Sequence, residues 1–401
     1  MPFFSSNKVG RTSLYAQVGS LATGLALASG LAAAAPFKVT LLVMANDPRL
    51  ERNRLERGYL GQRGGPLADA LKIALAEGKP ELESVGARID LEITEVADAA
   101  GARAAAAKAE AAGTAALVAD LPAPWLLAAA DAVKAPVLNV GATDDALRQA
   151  DCRRQLWHLL PSERMRADAV AQFLVARRWQ QVLLLTGPAD EDRARIATAQ
   201  ASIKRMGLKL VATRPFKLSA DPRERDLANP ALLTGPSVGA YDVVWVVDSD
   251  GEFATSLPYR TGLPRPVVGD AGLAALAWSP RFERYGAPQV TRRLTKAVGR
   301  PMGAHDWPAW MAGKALVAAA VAAPKGPGPA FAKALAEGEL DGSKGVAMSF
   351  RPWDGQLRQP LLLSDGYSTA ALAPIDGMLH PKNNLDTLGA DAPEKLCKVR
   401  S

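Results

Sequence analysis

The feature that most constrains the fold of this chain is an alternation of apolar strands and helices that occurs twice. The first stretch predicts strands at residues 37–44, 89–96, 115–119 and 136–139, separated by helices at 67–75, 99–112 and 125–133. The second predicts strands at residues 181–186, 208–213, 241–247 and 266–269, and helices at 167–178 and 193–206. Such alternation is typical of parallel sheets with helices on both faces. We therefore expect an α/β protein with two mainly parallel sheets, whose ligand chemistry lies at the carboxyl ends of the strands.

The last third of the chain follows a different pattern. A long helix is predicted at residues 306–321, and a Gly/Pro-rich break follows at 325–329. Two apolar runs at 345–350 and 359–363, joined through an Asp-Gly turn, predict a hairpin. A length of 401 residues is sufficient for two domains with separate cores.

Residues 1–35 have the three-part pattern of a secretory signal peptide. Lys8 and Arg11 precede an apolar run at 21–31, and four alanines follow where a signal peptidase would cleave. The alternative is a membrane anchor, but the run is short for a hydrocarbon core of ~30 Å and contains two glycines. We therefore expect export to the periplasm, with cleavage near Ala35.

The two cysteines, Cys152 and Cys397, are free to pair in an oxidising compartment. A bridge between them would join the end of the chain to its middle, and the alternative is two separate thiols. They cannot form a metal site alone, and no two of the three histidines have a metal-ligand spacing. We expect no metal site.

The charge of the chain is only mildly basic. Its 48 Lys and Arg against 41 Asp and Glu give +7, and removal of residues 1–35 would leave +5. Acidic residues are interspersed throughout, unlike the concentrated basic face that binding to nucleic acid requires. A small anionic solute in a locally basic cleft is compatible with this balance.

Three blocks resemble the periplasmic binding proteins of the leucine/isoleucine/valine receptor type. Residues 122–143 resemble the family's helix, strand and Ala-Thr loop, and residues 156–163 its crossing into the second lobe. Residues 178–186 resemble the strand that opens that lobe. The resemblance implies a type I, two-lobe receptor that closes on a small-molecule solute and delivers it to the permease of an ABC importer. It also implies a protein without catalysis of its own, and we expect a monomer.

The implied lobes are discontinuous in sequence. The first would hold residues 36–155 and 271–338, the second 156–270 and 339–376, with a tail at 377–401. The chain would then cross the hinge about three times.

Two further segments indicate which solute is bound. Residues 349–363 and 379–389 resemble a subfamily associated with pyrroloquinoline quinone (PQQ)-dependent alcohol dehydrogenase systems. This implies PQQ itself, or a component of that oxidation system, as the bound solute, with no cofactor required. The loop at 119–125 lacks the small hydroxyl residues that hold the ligand carboxylate in amino-acid receptors, which argues against an amino acid. A branched-chain or other amino acid is therefore kept only as the alternative solute.

Candidate ligand-binding residues follow from the chemistry of PQQ, a planar tricarboxylate that needs cations and aromatic faces. Arg49 and Arg63 belong to the densest arginine cluster of the chain and are expected to bind carboxylates. The other candidates lie at predicted strand ends or crossings: Trp125, Asn139, Trp157, His158, Asp248, Trp278 and Trp307. The alternatives are a solvated loop for the arginines, core packing for the tryptophans and a helix cap for Asp248.

An exported serine hydrolase is the alternative from another functional class. Residues 235–239 have the Gly-x-Ser-x-Gly pattern with Ser237 at its centre. A nucleophile elbow follows its strand and opens a helix, whereas this motif precedes the predicted strand at 241–247.

Overall fold

The first sheet is built from five parallel strands. The computed structural model describes residues 36–219 and 221–400, so the expected signal peptide lies outside the described residues. The strands are β1 (Phe37–Met44), β2 (Ile89–Val96), β3 (Ala116–Asp120), β4 (Val137–Asn139) and β5 (Leu156–His158), in the order β2-β1-β3-β4-β5. All five residues of β3 are buried, as expected of a central strand covered on both faces.

Helices cover both faces of this sheet. They are α2 (Ala68–Glu77) and α3 (Lys79–Ser84) on one face, and α4 (Ala99–Ala111) and α5 (Ala123–Ala130) on the other. α1 (Arg52–Arg57) lies in the connection after β1 and has no buried residue. α4 begins where the Asp98 carboxylate accepts a 2.7 Å hydrogen bond from the Gly101 amide, and its buried alanines permit close packing on the sheet.

The second sheet repeats the parallel arrangement with four strands in the order β7-β6-β8-β9. Its elements are α6 (Glu163–Arg177), β6 (Gln181–Thr186), α7 (Asp190–Arg205), β7 (Lys209–Pro215), α8 (Pro230–Leu233), β8 (Val243–Val247), α9 (Glu252–Ser256) and β9 (Val267–Gly269). β8 is the central apolar run, Val-Val-Trp-Val-Val, and all its residues are buried.

The remaining elements pack on these two units. They are β10 (Ala274–Leu276), α10 (Ala287–Val298), α11 (Asp306–Ala322), α12 (Pro329–Glu337), β11 (Leu340–Asp341), β12 (Ala347–Met348), β13 (Leu361–Ser364) and β14 (Thr369–Ala373). α11 is apolar on nearly every side because it packs between α2 and α12 in the first core. β10, β13 and β14 form an antiparallel sheet whose residues share the core of the second parallel sheet. No helix within 36–219 or 221–400 has the length and apolar character to cross a membrane.

Two segments are placed differently from their predicted positions. β5, assigned by sequence to the second lobe, pairs with β4 as the edge strand of the first sheet. Residues 340–357 contribute Leu340, Met348, Phe350 and Leu357 to the core of the first sheet, although 339–376 was expected in the second lobe. The predicted hairpin is reduced to a short contact between Phe350 and Leu357, because β12 pairs with β11 and β13 pairs with β10 and β14.

Candidate functional site

A long segment of the first lobe, which follows β1, contacts the second lobe near the carboxyl end of β8. We call this segment, residues 45–66, the lid segment. Its Gln62 Nε2 donates a 2.8 Å hydrogen bond to the Asp250 carbonyl oxygen, and Arg54 Nη2 lies 3.5 Å from the Asp250 carboxylate. Arg57 and Glu252 form a longer ion pair of 3.9 Å. The lid segment is therefore anchored in one lobe and contacts the loop after β8 in the other.

Gly251 permits this contact. Its φ of +83° is in the left-handed region, and a Cβ at this position would lie 2.9 Å from the Tyr59 ring atom Cδ2. A larger residue at 251 would displace the lid segment.

In the first lobe, the two predicted carboxylate-binding arginines are paired with carboxylates of the protein itself. Both oxygens of Asp120, at the end of β3, accept hydrogen bonds from Arg63, at 2.6 and 2.5 Å. Arg49 Nη2 lies 3.3 Å from the Asp120 carboxylate, and its Nε donates to Asp47 at 2.8 Å. Burial opposes ionisation of Asp47, but Arg49 outweighs it and lowers the pKa of this carboxyl. These contacts fix the lid segment at both ends.

In the second lobe, a cluster of charges surrounds Arg195 on α7. Its guanidinium pairs with Asp270 after β9 at 2.5 Å and with Glu163 at 3.3 Å. Burial alone would raise the pKa of Glu163, but the guanidinium groups of Arg166 and Arg195 hold it at about 2. Glu163 is therefore an anion throughout the physiological range.

Asp248 connects this cluster to the loop contacted by the lid segment. Its amide donates to Asp270 Oδ2 at 2.7 Å, and its carboxylate accepts from the Ala254 amide at 2.9 Å. Burial raises the pKa of this carboxyl. Asp248 thus stabilises the turn into α9, the capping alternative noted from sequence.

A small pocket of about 40 Å³ opens beside the second-lobe cluster. It combines charged groups with an apolar wall, and it is lined by Glu163, Arg166, Ala167, Val170, Arg195, Ala199, Trp245, Val246, Val247, Gly269, Asp270 and Ala275. Arg166 donates through Nε to the Ala275 carbonyl oxygen at 3.2 Å and lies 3.4 Å from Glu163. Its Nη2 points towards Gly61, where an added Cβ would lie 3.9 Å away. The guanidinium group of Arg166 therefore lies between the pocket and the lid segment.

His305, immediately before α11, lies at the same junction. Its Nε2 donates to the Gly61 carbonyl oxygen at 2.8 Å, which leaves Nδ1 as an unprotonated acceptor. Nδ1 is buried and has no hydrogen-bond partner among the described residues. Burial, together with Arg63 and Arg166, lowers the pKa of His305 to about 3. The imidazole is consequently neutral.

The remaining predicted residues do not line this pocket. Trp278 and Trp307 are fully buried in the first core, with ring centroids 6.4 Å apart. Trp157 packs edge-on against Phe350, and Arg400 covers its ring at 4.2 Å. Trp125 is half-buried against the helices of the first sheet. These tryptophans therefore pack within or against the protein.

Asn139 and His158 form a buried polar pair at the end of β4 and β5. Asn139 accepts from the Gly141 and Ala142 amides and donates to His158 Nδ1 at 3.0 Å. Burial lowers the pKa of His158 well below its usual value. The pair shapes the turn after β4.

Sequence reasoning missed Arg166, Trp245 and His305. Arg166 lies on a helix with charges on several sides, and Trp245 sits in a strand that reads as core. No feature of the sequence marked Trp245, because it is the middle residue of the buried strand β8.

Neither metal nor nucleophile chemistry is supported by the described part of the chain. Within it, no group of three or more His, Cys, Asp or Glu residues could hold a metal ion. Ser237 is exposed on a short 3-10 helix before β8, and none of the hydrogen bonds among the described residues joins it to a histidine. The geometry therefore does not favour the hydrolase alternative.

Comparison with known proteins identifies the fold. No family model matches the chain, and no curated protein matches it. Among solved structures, a leucine-, isoleucine-, valine-, threonine- and alanine-binding protein from Brucella ovis, in a closed conformation, is 16% identical with a TM-score of 0.64 over 82% of this chain and 89% of that one. An ABC transporter solute-binding protein from Rhodopseudomonas palustris BisB5, in complex with 3,4-dihydroxybenzoic acid, is 13% identical with a TM-score of 0.62 over 82% and 92%.

A periplasmic binding protein from Burkholderia mallei is 12% identical with a TM-score of 0.64, covering 91% of this chain and 99% of that one. The chain therefore has the two-lobe, type I periplasmic binding protein fold, and the predicted fold class is confirmed. At these identities the likeness establishes the fold.

Proposed function

We propose that this protein is the solute-binding component of an ABC importer, working in the periplasm without catalysis of its own. It would bind a small molecule between its lobes and present it to a permease in the membrane. One observation carries this proposal: the lid segment of the first lobe closes onto the loop after β8, beside a pocket at the carboxyl edge of the second sheet. Ligands of parallel α/β sheets bind at this edge.

The charge balance of the site disfavours a solute with several carboxylates. The two clusters contain four guanidinium groups, Arg49, Arg63, Arg166 and Arg195, and five carboxylates, Asp47, Asp120, Glu163, Asp192 and Asp270. A tricarboxylate would meet no surplus of positive charge there. PQQ, the solute implied by the subfamily resemblance, therefore has weaker support than a monocarboxylate, because Arg49 and Arg63 already bind Asp47 and Asp120.

A monocarboxylate with an apolar part would match the groups that remain. Arg166 would bind the carboxylate, and Trp245 would supply part of the apolar wall. Hydroxybenzoates and amino acids both have this chemistry. The Rhodopseudomonas palustris relative binds 3,4-dihydroxybenzoic acid, and the Brucella ovis relative is named for amino acids.

Calorimetric titration with 4-hydroxybenzoate, benzoate, leucine and PQQ tests this proposal. We expect saturable binding of a monocarboxylate and little heat with PQQ. Gly251→Ala should weaken that binding several-fold, because the new Cβ would displace Tyr59 and the lid segment.

Gly239→Ala is the matched control. Gly239 also has a positive φ, +96°, but an added Cβ there meets nothing within 4 Å. It should therefore leave the affinity unchanged. Equal losses in both variants, or tight binding of PQQ alone, would contradict the proposed site.

A further inference from the structure

The C-terminal segment, residues 377–400, contacts the second lobe through α6. The Gly389 amide donates to Asp168 Oδ2 at 2.9 Å, and Gln172 Nε2 donates to the Thr387 carbonyl oxygen at 3.3 Å. Leu388 is fully buried in the second core. This part of the segment is therefore fixed to the second lobe.

The end of the same segment is fixed to the first lobe. Cys397 forms a disulfide with Cys152, which lies shortly before the edge strand β5, with 5.7 Å between the two Cα atoms. Arg400 donates to the carbonyl oxygens of Arg154 and Leu156 at 2.6 and 2.7 Å and covers Trp157. The attachment is thus both covalent and polar.

Arg351 holds the middle of the segment. Its side chain is fully buried, pairs with Asp386 at 2.9 Å and donates to the carbonyl oxygens of Leu385 and Leu388 at 2.8 and 2.7 Å. Arg351 follows Phe350, which belongs to the first core. A buried cation with these partners gives the segment a defined position between the lobes.

Among the described residues, three other connections pass between the core of the first sheet and the core of the second. The first leads from Leu159 to Met165, the second from Ala275 to Ala277, and the third from Leu357 to Leu361. The C-terminal segment makes the same passage as these three, from Leu388 in the second core to Cys397 on the first lobe.

We infer that the C-terminal segment is a fourth hinge connection, closed by the disulfide, which limits how far the lobes can open. The three other connections allow the lobes to rotate about a hinge, and a fourth connection, fixed to the first lobe by the disulfide, adds a restraint on that rotation. The consequence for solute binding rests on the proposed function: restricting the open form raises the fraction of protein that is ready to close.

The test compares distances between the lobes in the ligand-free full chain, before and after the disulfide is removed. Azide-bearing amino acids at Ala104 on α4 and Ala194 on α7, both exposed, would carry spin labels that do not require thiols. Peptide mapping without reduction first establishes the Cys152–Cys397 bridge in the exported protein. Two free thiols in the exported chain would overturn the inference.

In the oxidised protein we expect a narrow distribution of distances. Reduction, or Cys397→Ser, should shift the distribution to longer distances and broaden it. An unchanged distribution would overturn the inference. Arg400→Ala keeps the disulfide and should give a smaller shift in the same direction, which keeps the test decisive if the reduced chain does not fold.

Asp131→Asn is the matched control. It breaks the ion pair between Asp131 and Arg153, beside the disulfide, without touching the C-terminal segment. Its distances should equal those of the unmodified chain, and a shift as large as that of Cys397→Ser would contradict a specific restraint. Because the measurement needs no solute, it stands even if none of the proposed solutes binds. Once a solute is known, its dissociation constant should rise several-fold in Cys397→Ser.

Discussion

The two lobes present the same kind of sheet edge to each other, but they use their charged residues differently. In the first lobe, Arg63 and Asp120 are almost completely buried and satisfy each other through two hydrogen bonds. In the second lobe, Arg166 keeps part of its guanidinium exposed beside a pocket. The first arrangement anchors the lid segment, and the second leaves a cation available to a solute.

This difference shows that an arginine near a strand end is not by itself a ligand-binding residue. Its role depends on whether a carboxylate of the protein already occupies its donors. Both terminal nitrogens of Arg63 bond to Asp120, with only the buried Nε unpaired among the described residues, whereas Arg166 bonds to Glu163 and a carbonyl oxygen through Nη1 and Nε. The comparison predicts that substitution of the buried Arg63 lowers the free energy of unfolding, and that substitution of Arg166 lowers the affinity for the solute.

The largest effect on stability is expected for Arg63→Ala. It would leave the buried Asp120 carboxylate without its main partner, which costs about 3–5 kcal/mol of unfolding free energy. Urea unfolding at neutral pH measures this loss. Arg88→Ala, which removes a mostly exposed pair with Asp90 on the same lobe, is the control and should change the free energy by less than about 1 kcal/mol. Similar small losses in both variants would show that the Arg63–Asp120 pair does not stabilise the fold.

A somewhat smaller, pH-dependent effect is expected for Glu163→Gln. Because the folded pKa of Glu163, about 2, lies below its ordinary value of 4.5, its ionic stabilisation is present above pH 4.5. It is lost as the pH falls towards 2. The shift corresponds to about 3 kcal/mol.

Unfolding free energies of the wild type and Glu163→Gln should therefore differ most near pH 6 and converge only as the pH falls to about 2. Urea titrations at several pH values measure this gap. A gap that stays constant with pH would mean that Arg166 and Arg195 do not depress the pKa of Glu163.

The fold was predictable where local patterns decide it. The apolar runs at 37–44 and 181–186 and the polar/apolar alternation at 89–96 correspond to β1, β6 and β2 at their observed bounds, because both patterns are typical of strands. The position of residues 340–357 was not predictable, because it depends on packing against Trp307 and other distant residues of the first core. Short strands such as β11 and β12 also carry too few residues to give a pattern.

The site was only partly predictable for the same physical reason. Composition indicated that the lid segment is rich in arginine. The pairing of Arg63 with Asp120 could not be predicted, because the two residues are 57 positions apart in the sequence. The tryptophans were expected to face a ligand, yet Trp278 and Trp307 are buried because their large apolar surfaces stabilise the core. Neutral His305 became recognisable only when Gly61 and Arg166 were placed beside it.

Calorimetric titration of Arg166→Ala, with the solute that the unmodified protein binds most tightly, tests the central claim most directly. The account predicts a loss of about 1.5–3 kcal/mol in binding free energy, or roughly ten- to a hundredfold in dissociation constant, from removal of a charge-assisted bond to the carboxylate. The unfolding free energy of the ligand-free variant should also fall, because Arg166 stabilises the Glu163 carboxylate, so the titration is carried out under conditions where the variant is folded. An unchanged dissociation constant would contradict the claim that the pocket beside Arg166 is where the two lobes close on their solute.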